Sequence, residues 1–149
     1  MTVDWSRKYE NLTIRVSGSQ GNYMAAIAGI SYEKGLEFVQ IQHDAVDRTD
    51  FVEFLQELKA RQGRRKVAVF LDNLSVHHTL QVKDECIRLD IPLVFNCAYE
   101  PNYQPIESVF SIVKNNYKRA KVAFEVNDED YDQGEIIDQA FRSIPKQAV

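Results

Sequence analysis

The chain has 149 residues, of which 44% are hydrophobic and 27% charged, and this composition is typical of one soluble globular domain spanning residues 1–149. No apolar run approaches the ~20 residues of a membrane span, and the N-terminus lacks the basic start and apolar core of a secretory signal. The net charge of −4 argues against a uniformly basic surface for nucleic acid.

The two cysteines, Cys86 and Cys97, both lie in apolar surroundings in the sequence. Two cysteines are too few for a zinc site on their own, and the adjacent His77-His78 pair does not complete a typical ligand spacing. We therefore expect two buried free thiols in a protein of a reducing, intracellular compartment.

The first half of the chain predicts a meander of strands followed by a helix. Alternating apolar and polar residues indicate a strand over 12–16, and the apolar segments 23–30 and 36–41 indicate an antiparallel hairpin. Asp50, followed three residues later by Glu53, has the form of a helix N-cap with its reciprocal acid.

The second half alternates strands and helices. Two short, wholly apolar runs, 67–71 and 91–95, indicate strands buried on both faces, and Thr79 is placed to cap the helix between them. Pro105 starts an amphipathic helix, and a last short helix ends at Pro145. The apolar residues of the Pro105 helix that are predicted to face inward share one side of it: Ile106, Val109, Phe110, Val113 and Tyr117. The element order predicts a mixed α/β sheet with flanking helices.

Two acids occupy positions that suit a catalytic site. Asp72 follows the apolar run 67–71, and functional groups of α/β sheets often lie just past the carboxyl ends of strands. Glu107 lies 35 positions later, just inside the helix that Pro105 announces. Taken singly, Asp72 is more simply a turn residue and Glu107 a surface acid in a first helical turn. Their joint occurrence with the flanking residues favours a site.

The flanking residues resemble those of the DDE transposases of the mariner-like superfamily and their bacterial insertion-sequence relatives. The matching segments are Phe70-Leu71-Asp72-Asn73 with His77, then Tyr103-Gln104-Pro105-Ile106-Glu107-Ser108-Val109-Phe110, then Lys114. The resemblance extends roughly from Trp5 to Lys121, although the family usually has Asn where this chain has Gln104.

The resemblance implies an RNase H-like fold and metal-dependent cleavage and joining of DNA strands. Asp72 and Glu107 would then be catalytic and would bind Mg²⁺ or Mn²⁺, since hard cations prefer carboxylate oxygens. The expected location is the nucleus of a eukaryote or the cytoplasm of a bacterium.

Four residues near these acids are candidates for contacting DNA: Asn73, His77, Lys114 and Lys118. A loop histidine bonded to backbone is an equally good interpretation of His77, and a solvated lysine is an equally good one for Lys114. A second run of cations lies at 61–66, and clusters of this kind can give a domain one basic face despite an acidic net charge.

Relatives have a third acid on the first strand of the sheet, followed by a Trp that resembles Trp5. If Trp5 is that residue, the first strand and its Asp are missing from this sequence. Asp4 has no convincing strand around it, and Asp44 and Asp47 follow the wrong strand. We therefore expect an incomplete catalytic set and little strand-transfer activity from this chain.

Two alternatives stay open on the sequence alone. One is a domesticated transposase module that binds protein or nucleic acid without catalysis, and the other is an unrelated small α/β binding protein.

A missing first strand would also leave the strand at 23–30 with an open edge. Residues 11–16, a second copy of the chain or a partner protein would then have to cover that edge, so we expect an assembly.

Overall fold

The computed structural model describes residues 8–15, 23–71, 75–96 and 105–145; the side chains of 8–15, Tyr23, Pro105 and Glu107 are outside that description. The strands are β1 Lys8–Arg15, β2 Tyr23–Ser31, β3 Gly35–Gln42, β4 Val69–Leu71 and β5 Leu93–Phe95. The α-helices are α1 Arg48–Gln62, α2 Leu80–Leu89, α3 Pro105–Val126 and α4 Gln133–Arg142, and a 3₁₀ turn spans Ser75–His78.

The strands form a five-stranded sheet in the order β3-β2-β1-β4-β5. β1 and β3 are both antiparallel to β2, whereas β1, β4 and β5 run parallel. The predicted mixed α/β sheet and the predicted order of strands and helices are confirmed.

The gap that we expected beside β2 is filled. β1 pairs with β2 along its whole length, from Lys8 opposite Ile30 to Arg15 opposite Tyr23, and it also pairs with β4. Residues 8–15 therefore form the central strand, and the edges of the sheet are β3 and β5. The expectation of a missing first strand was therefore wrong. Of the three segments or partners considered as a cover for the edge of β2, it is the chain's own N-terminal segment that pairs there.

The sheet separates two apolar cores because side chains alternate along its strands. On one face, Met24, Ala26, Ala28 and Ile30 of β2 pack against α3 and α4. On the other face, Ile27 packs with residues of α1 and α2. The helices therefore form two layers, with α1 and α2 on one face of the sheet and α3 and α4 on the other.

The long helix α3 has the orientation that its sequence predicted. The five predicted inward residues are all buried, and they belong to the core shared with β2 and α4. α3 also contacts the central strand β1. This packing fixes the helix that carries Glu107 over the middle of the sheet.

The start of α1 differs from the prediction. Asp47, not Asp50, is the N-cap, and its carboxylate accepts hydrogen bonds from the backbone N–H groups of Thr49 and Asp50. The Asp50 carboxylate in turn accepts from the Asp47 N–H at 2.8 Å. Asp50 is thus the reciprocal acid of the capping box, because the helix begins three residues earlier than the apolar pattern suggests.

Replacing Tyr117 with Phe is expected to leave the free energy of unfolding unchanged or to raise it by up to ~1 kcal/mol. The Tyr117 hydroxyl is buried, and no described residue forms a hydrogen bond with it. Burial, with the nearby Tyr131 and Glu125, raises the pKa of Tyr117. Urea denaturation of the Tyr117→Phe variant tests this, and a loss above ~1 kcal/mol would show that the hydroxyl has a partner.

Candidate active site

Asp72 follows the middle strand of the parallel part of the sheet. β4 ends at Leu71, which is flanked by Tyr9 of β1 on one side and Phe95 of β5 on the other. Beyond β5, the Asn96 N–H donates a hydrogen bond to the Leu71 carbonyl oxygen at 2.8 Å, so the chain continues alongside β4 there. Asp72 and Asn73 themselves lie outside the described residues.

Glu107 is the third residue of α3. Its neighbour Ile106 and the following Val109 are fully buried in the core under β2, so the first turn of the helix is firmly held. The Glu107 side chain is outside the description, and the convergence of its carboxylate with that of Asp72 stays a prediction.

Glu10 is a candidate that the sequence analysis missed. The parallel register pairs Lys8 with Phe70 and Tyr9 with Leu71, and Glu10 follows Tyr9 just as Asp72 follows Leu71. Glu10 is also the only acid in the segment 8–15. No local signal in the sequence singled it out, because its proximity to Asp72 depends on a pairing between residues 62 positions apart in the sequence.

The 3₁₀ turn after Asp72 is held by both of its histidines. The His77 ring is fully buried, and its centroid is 4.5 Å from that of Phe51 in α1. The exposed His78 stacks on Phe95 of β5, with centroids 4.2 Å apart and ring planes inclined by 16°. In this arrangement the His77 side chain has no exposed surface to offer to DNA.

Cations continue from Glu107 along α3. Lys114 and Lys118 are exposed and lie 7 and 11 residues after Glu107, which returns them to nearly the same face of the helix. They are roughly 10 and 16 Å further along the helix axis. Lys121 is less exposed and pairs with Glu125 at 3.5 Å.

The second run of cations, at 61–66, lies at the opposite end of β4 from Asp72. Residues 61–66 precede the amino end of β4, whereas Asp72 follows its carboxyl end. Two of these cations are paired with acids, Arg61 with Glu57 at 2.6 Å and Arg65 with Glu33. The basic track on α3 is therefore the one that extends from the candidate site.

The described residues contain no group of three or more His, Cys, Asp or Glu side chains that could hold a metal ion. Because Asp72 and the Glu107 side chain are outside that set, the predicted Mg²⁺ or Mn²⁺ site stays a prediction. No described helix is long and apolar enough to cross a membrane.

Cys86 is buried and not disulfide-bonded, as predicted, whereas Cys97 lies outside the described residues. Burial, with the neighbouring Glu85 carboxylate, raises the pKa of the Cys86 thiol to about 11.

We expect iodoacetamide at pH 8 to modify Cys86 at least about a hundredfold more slowly in the folded chain than in urea, because the thiolate is the reactive form. Peptide mapping by mass spectrometry measures this rate at Cys86 alone. Equal rates with and without urea would contradict the burial of this thiol.

A family model described as DDE superfamily endonuclease matches residues 3–128. The chain belongs to this family. The match includes β1, β4 and α3, and with them Glu10, Asp72 and Glu107. It ends before α4.

Solved structures of similar fold include catalytic domains of transposases and integrases. A chain of the simian T-cell lymphotropic virus intasome, solved in complex with the PP2A regulatory subunit B56 gamma, matches with a TM-score of 0.73 and 13% identity, covering 95% of this chain and 48% of that chain. The Mos1 transposase catalytic domain with raltegravir and Mg matches with a TM-score of 0.67 and 14% identity, covering 97% of this chain and 74% of that chain. The BIV integrase catalytic core matches with a TM-score of 0.62 and 13% identity, covering 94% of this chain and 82% of that chain.

These likenesses confirm the RNase H-like fold class of the DDE endonuclease domain. The chain spans about half the length of the intasome chain that it matches. No curated protein matches the sequence.

Proposed function

We propose that this DDE endonuclease domain cleaves and joins DNA strands in a metal-dependent reaction, with Asp72 and Glu107 as its principal catalytic acids. The observation that carries the proposal is the family match over residues 3–128, which includes both acids. Their location supports it, because Asp72 follows the strand that lies between β1 and β5, and Glu107 lies in the first turn of a helix packed over β1.

The donor set fits Mg²⁺ or Mn²⁺. Carboxylate oxygens are the ligands that such hard cations prefer, and Asp72, Glu107 and Glu10 would hold the ions. When bound, the ions stabilise the attacking and leaving oxygens at a phosphate. Glu10 would stand in for the Asp of relatives, and the β1–β4 register supports this assignment.

DNA would follow the exposed face of α3. Lys114 and Lys118 continue from Glu107 along one face, where cations can contact successive phosphates. The N-terminus of α3 also favours an anionic phosphate beside Glu107. Asn73 is proposed to contact DNA directly, while the buried His77 would hold the turn that follows Asp72. The protein would then act on DNA in a eukaryotic nucleus or in bacterial cytoplasm.

A non-catalytic binding module is the second candidate. Two observations favour it: the net charge of −4, and the presence of Glu10 rather than an Asp as the only acid in residues 8–15. Such a domesticated module would bind DNA or a partner protein without changing the DNA.

Incubation of the purified chain with supercoiled plasmid separates the two candidates. The catalytic proposal predicts nicked circles that appear with Mg²⁺ or Mn²⁺ and disappear with EDTA. DNA binding in a gel-shift assay without any metal-dependent nicking would overturn it in favour of the binding module.

A further inference from the structure

We propose that the exposed face of α2 is a self-complementary docking surface through which two copies of this chain pair. Four exposed residues form this face: Leu80, Lys83, Asp84 and Ile87. Leu80 and Ile87 are 76% and 78% exposed, although both are large and apolar. The inference is independent of the proposed function.

The four residues form one stripe along the helix. Positions 80, 83, 84 and 87 return to the same side of an α-helix, and Leu80 and Ile87 are roughly 10 Å apart along its axis. The core side of α2 is opposite and contains the buried Val82 and Cys86. Nothing in the described part of the chain covers Leu80 or Ile87.

The order of residues in the stripe makes it complementary to itself. An apolar residue stands at each end, and a cation and an anion stand between them. If two α2 helices pack antiparallel about a twofold axis between Lys83 and Asp84, Leu80 of each copy meets Ile87 of the other. The same axis places each Lys83 beside the Asp84 of the second copy. A second copy of the chain is therefore the occupant that both the apolar pattern and the charges fit.

The surface beside the stripe extends the apolar area toward the edge of the sheet. A groove of about 510 Å³ lies between α2 and β5, and its apolar lining includes Cys86, Ile87, Leu93 and Phe95. Ile87 belongs to both the stripe and the groove, so Leu80 of the second copy would lie at the mouth of the groove. The contact would then include the groove as well as the pair of helices.

The helix is also held rigidly enough to present this face. Glu85 accepts a hydrogen bond from Gln56 of α1 at 2.8 Å, and it also pairs with Arg88. Thr79 caps the helix at its start, as the sequence predicted. Little conformational entropy is therefore lost at α2 when two copies associate.

Sedimentation equilibrium of the full chain without DNA tests the proposal. We expect a dimer whose dissociation constant rises at least about tenfold in the Ile87→Asp variant, because a carboxylate would be buried against Leu80 of the second copy. Val126→Asp is the matched control, since Val126 is an apolar residue at the same 78% exposure on α3. It should leave the dissociation constant within about twofold of the parent.

Charge reversal gives a second, sharper test of the antiparallel pairing. Lys83→Asp places two acids together at each symmetric site and is expected to weaken the dimer by about tenfold, and Asp84→Lys should act in the same way. The double variant Lys83→Asp/Asp84→Lys restores opposite charges and should return the dissociation constant to within about twofold of the parent.

Circular dichroism should show the parent fold in every variant, because all the changed residues are exposed. A purely monomeric parent chain, or a dimer that Ile87→Asp and Val126→Asp affect equally, would overturn the proposal. A double variant that stays as weak as the single variants would overturn it as well.

Discussion

Replacing Asp72 with Asn is expected to reduce metal-dependent plasmid nicking by at least about a hundredfold. The amide keeps the size of the side chain but removes the negative charge that a divalent cation requires. Glu107→Gln should have an effect of similar size for the same reason. Initial rates of nicking at saturating Mn²⁺ measure both losses.

Glu10→Gln decides where the third carboxylate comes from. If Glu10 supplies it, this variant should lose activity as severely as Asp72→Asn. The matched control is Glu53→Gln, which changes an exposed acid on α1 in the same way and should keep the rate within about twofold. Full activity in Glu10→Gln together with loss in Asp4→Asn would assign the third carboxylate to Asp4 instead.

Replacing Phe141 with Ala is expected to lower the free energy of unfolding by about 3–5 kcal/mol. Phe141 is fully buried, and its ring meets that of Phe110 edge-on with centroids 6.3 Å apart. The truncated side chain would leave a cavity between α3 and α4 that close packing cannot fill. Urea denaturation followed by circular dichroism measures the loss.

This prediction concerns α4, which lies beyond the residues that match the family. Val126→Ala is the control, because a change at an exposed side chain outside the α2 face should cost less than about 0.5 kcal/mol. A chain whose midpoint of unfolding is unchanged by Phe141→Ala would show that α4 is an appendage rather than part of the core.

Sequence-based prediction was most accurate for elements whose buried residues recur at a regular local spacing. The α3 stripe repeats over about three turns, and all five residues expected to face inward are buried. β1 was harder, because Lys8, Glu10 and Asn11 break the apolar alternation that marks a strand. Its central position depends on pairing with β2 and β4, which no local pattern contains.

The residues of the candidate site also differ in whether a local sequence pattern indicates them. The sequence alone proposes Asp72 and Glu107, because each stands at a predictable boundary of a strand or helix and within a segment that resembles the family. Glu10 becomes a candidate only with the structure, because only the register between β1 and β4 relates it to Asp72. The burial of His77 was also missed, since its contact with Phe51 joins two segments that are distant in the sequence.

Anomalous scattering from crystals soaked in Mn²⁺ would show directly whether Asp72 and Glu107 bind a metal ion together. We expect a manganese peak coordinated by the carboxylates of both Asp72 and Glu107, with Glu10 on the same side of the sheet, and no such peak in crystals of Asp72→Asn. A well-ordered structure that places Asp72 and Glu107 on opposite sides of the sheet, with no metal between them, would contradict it.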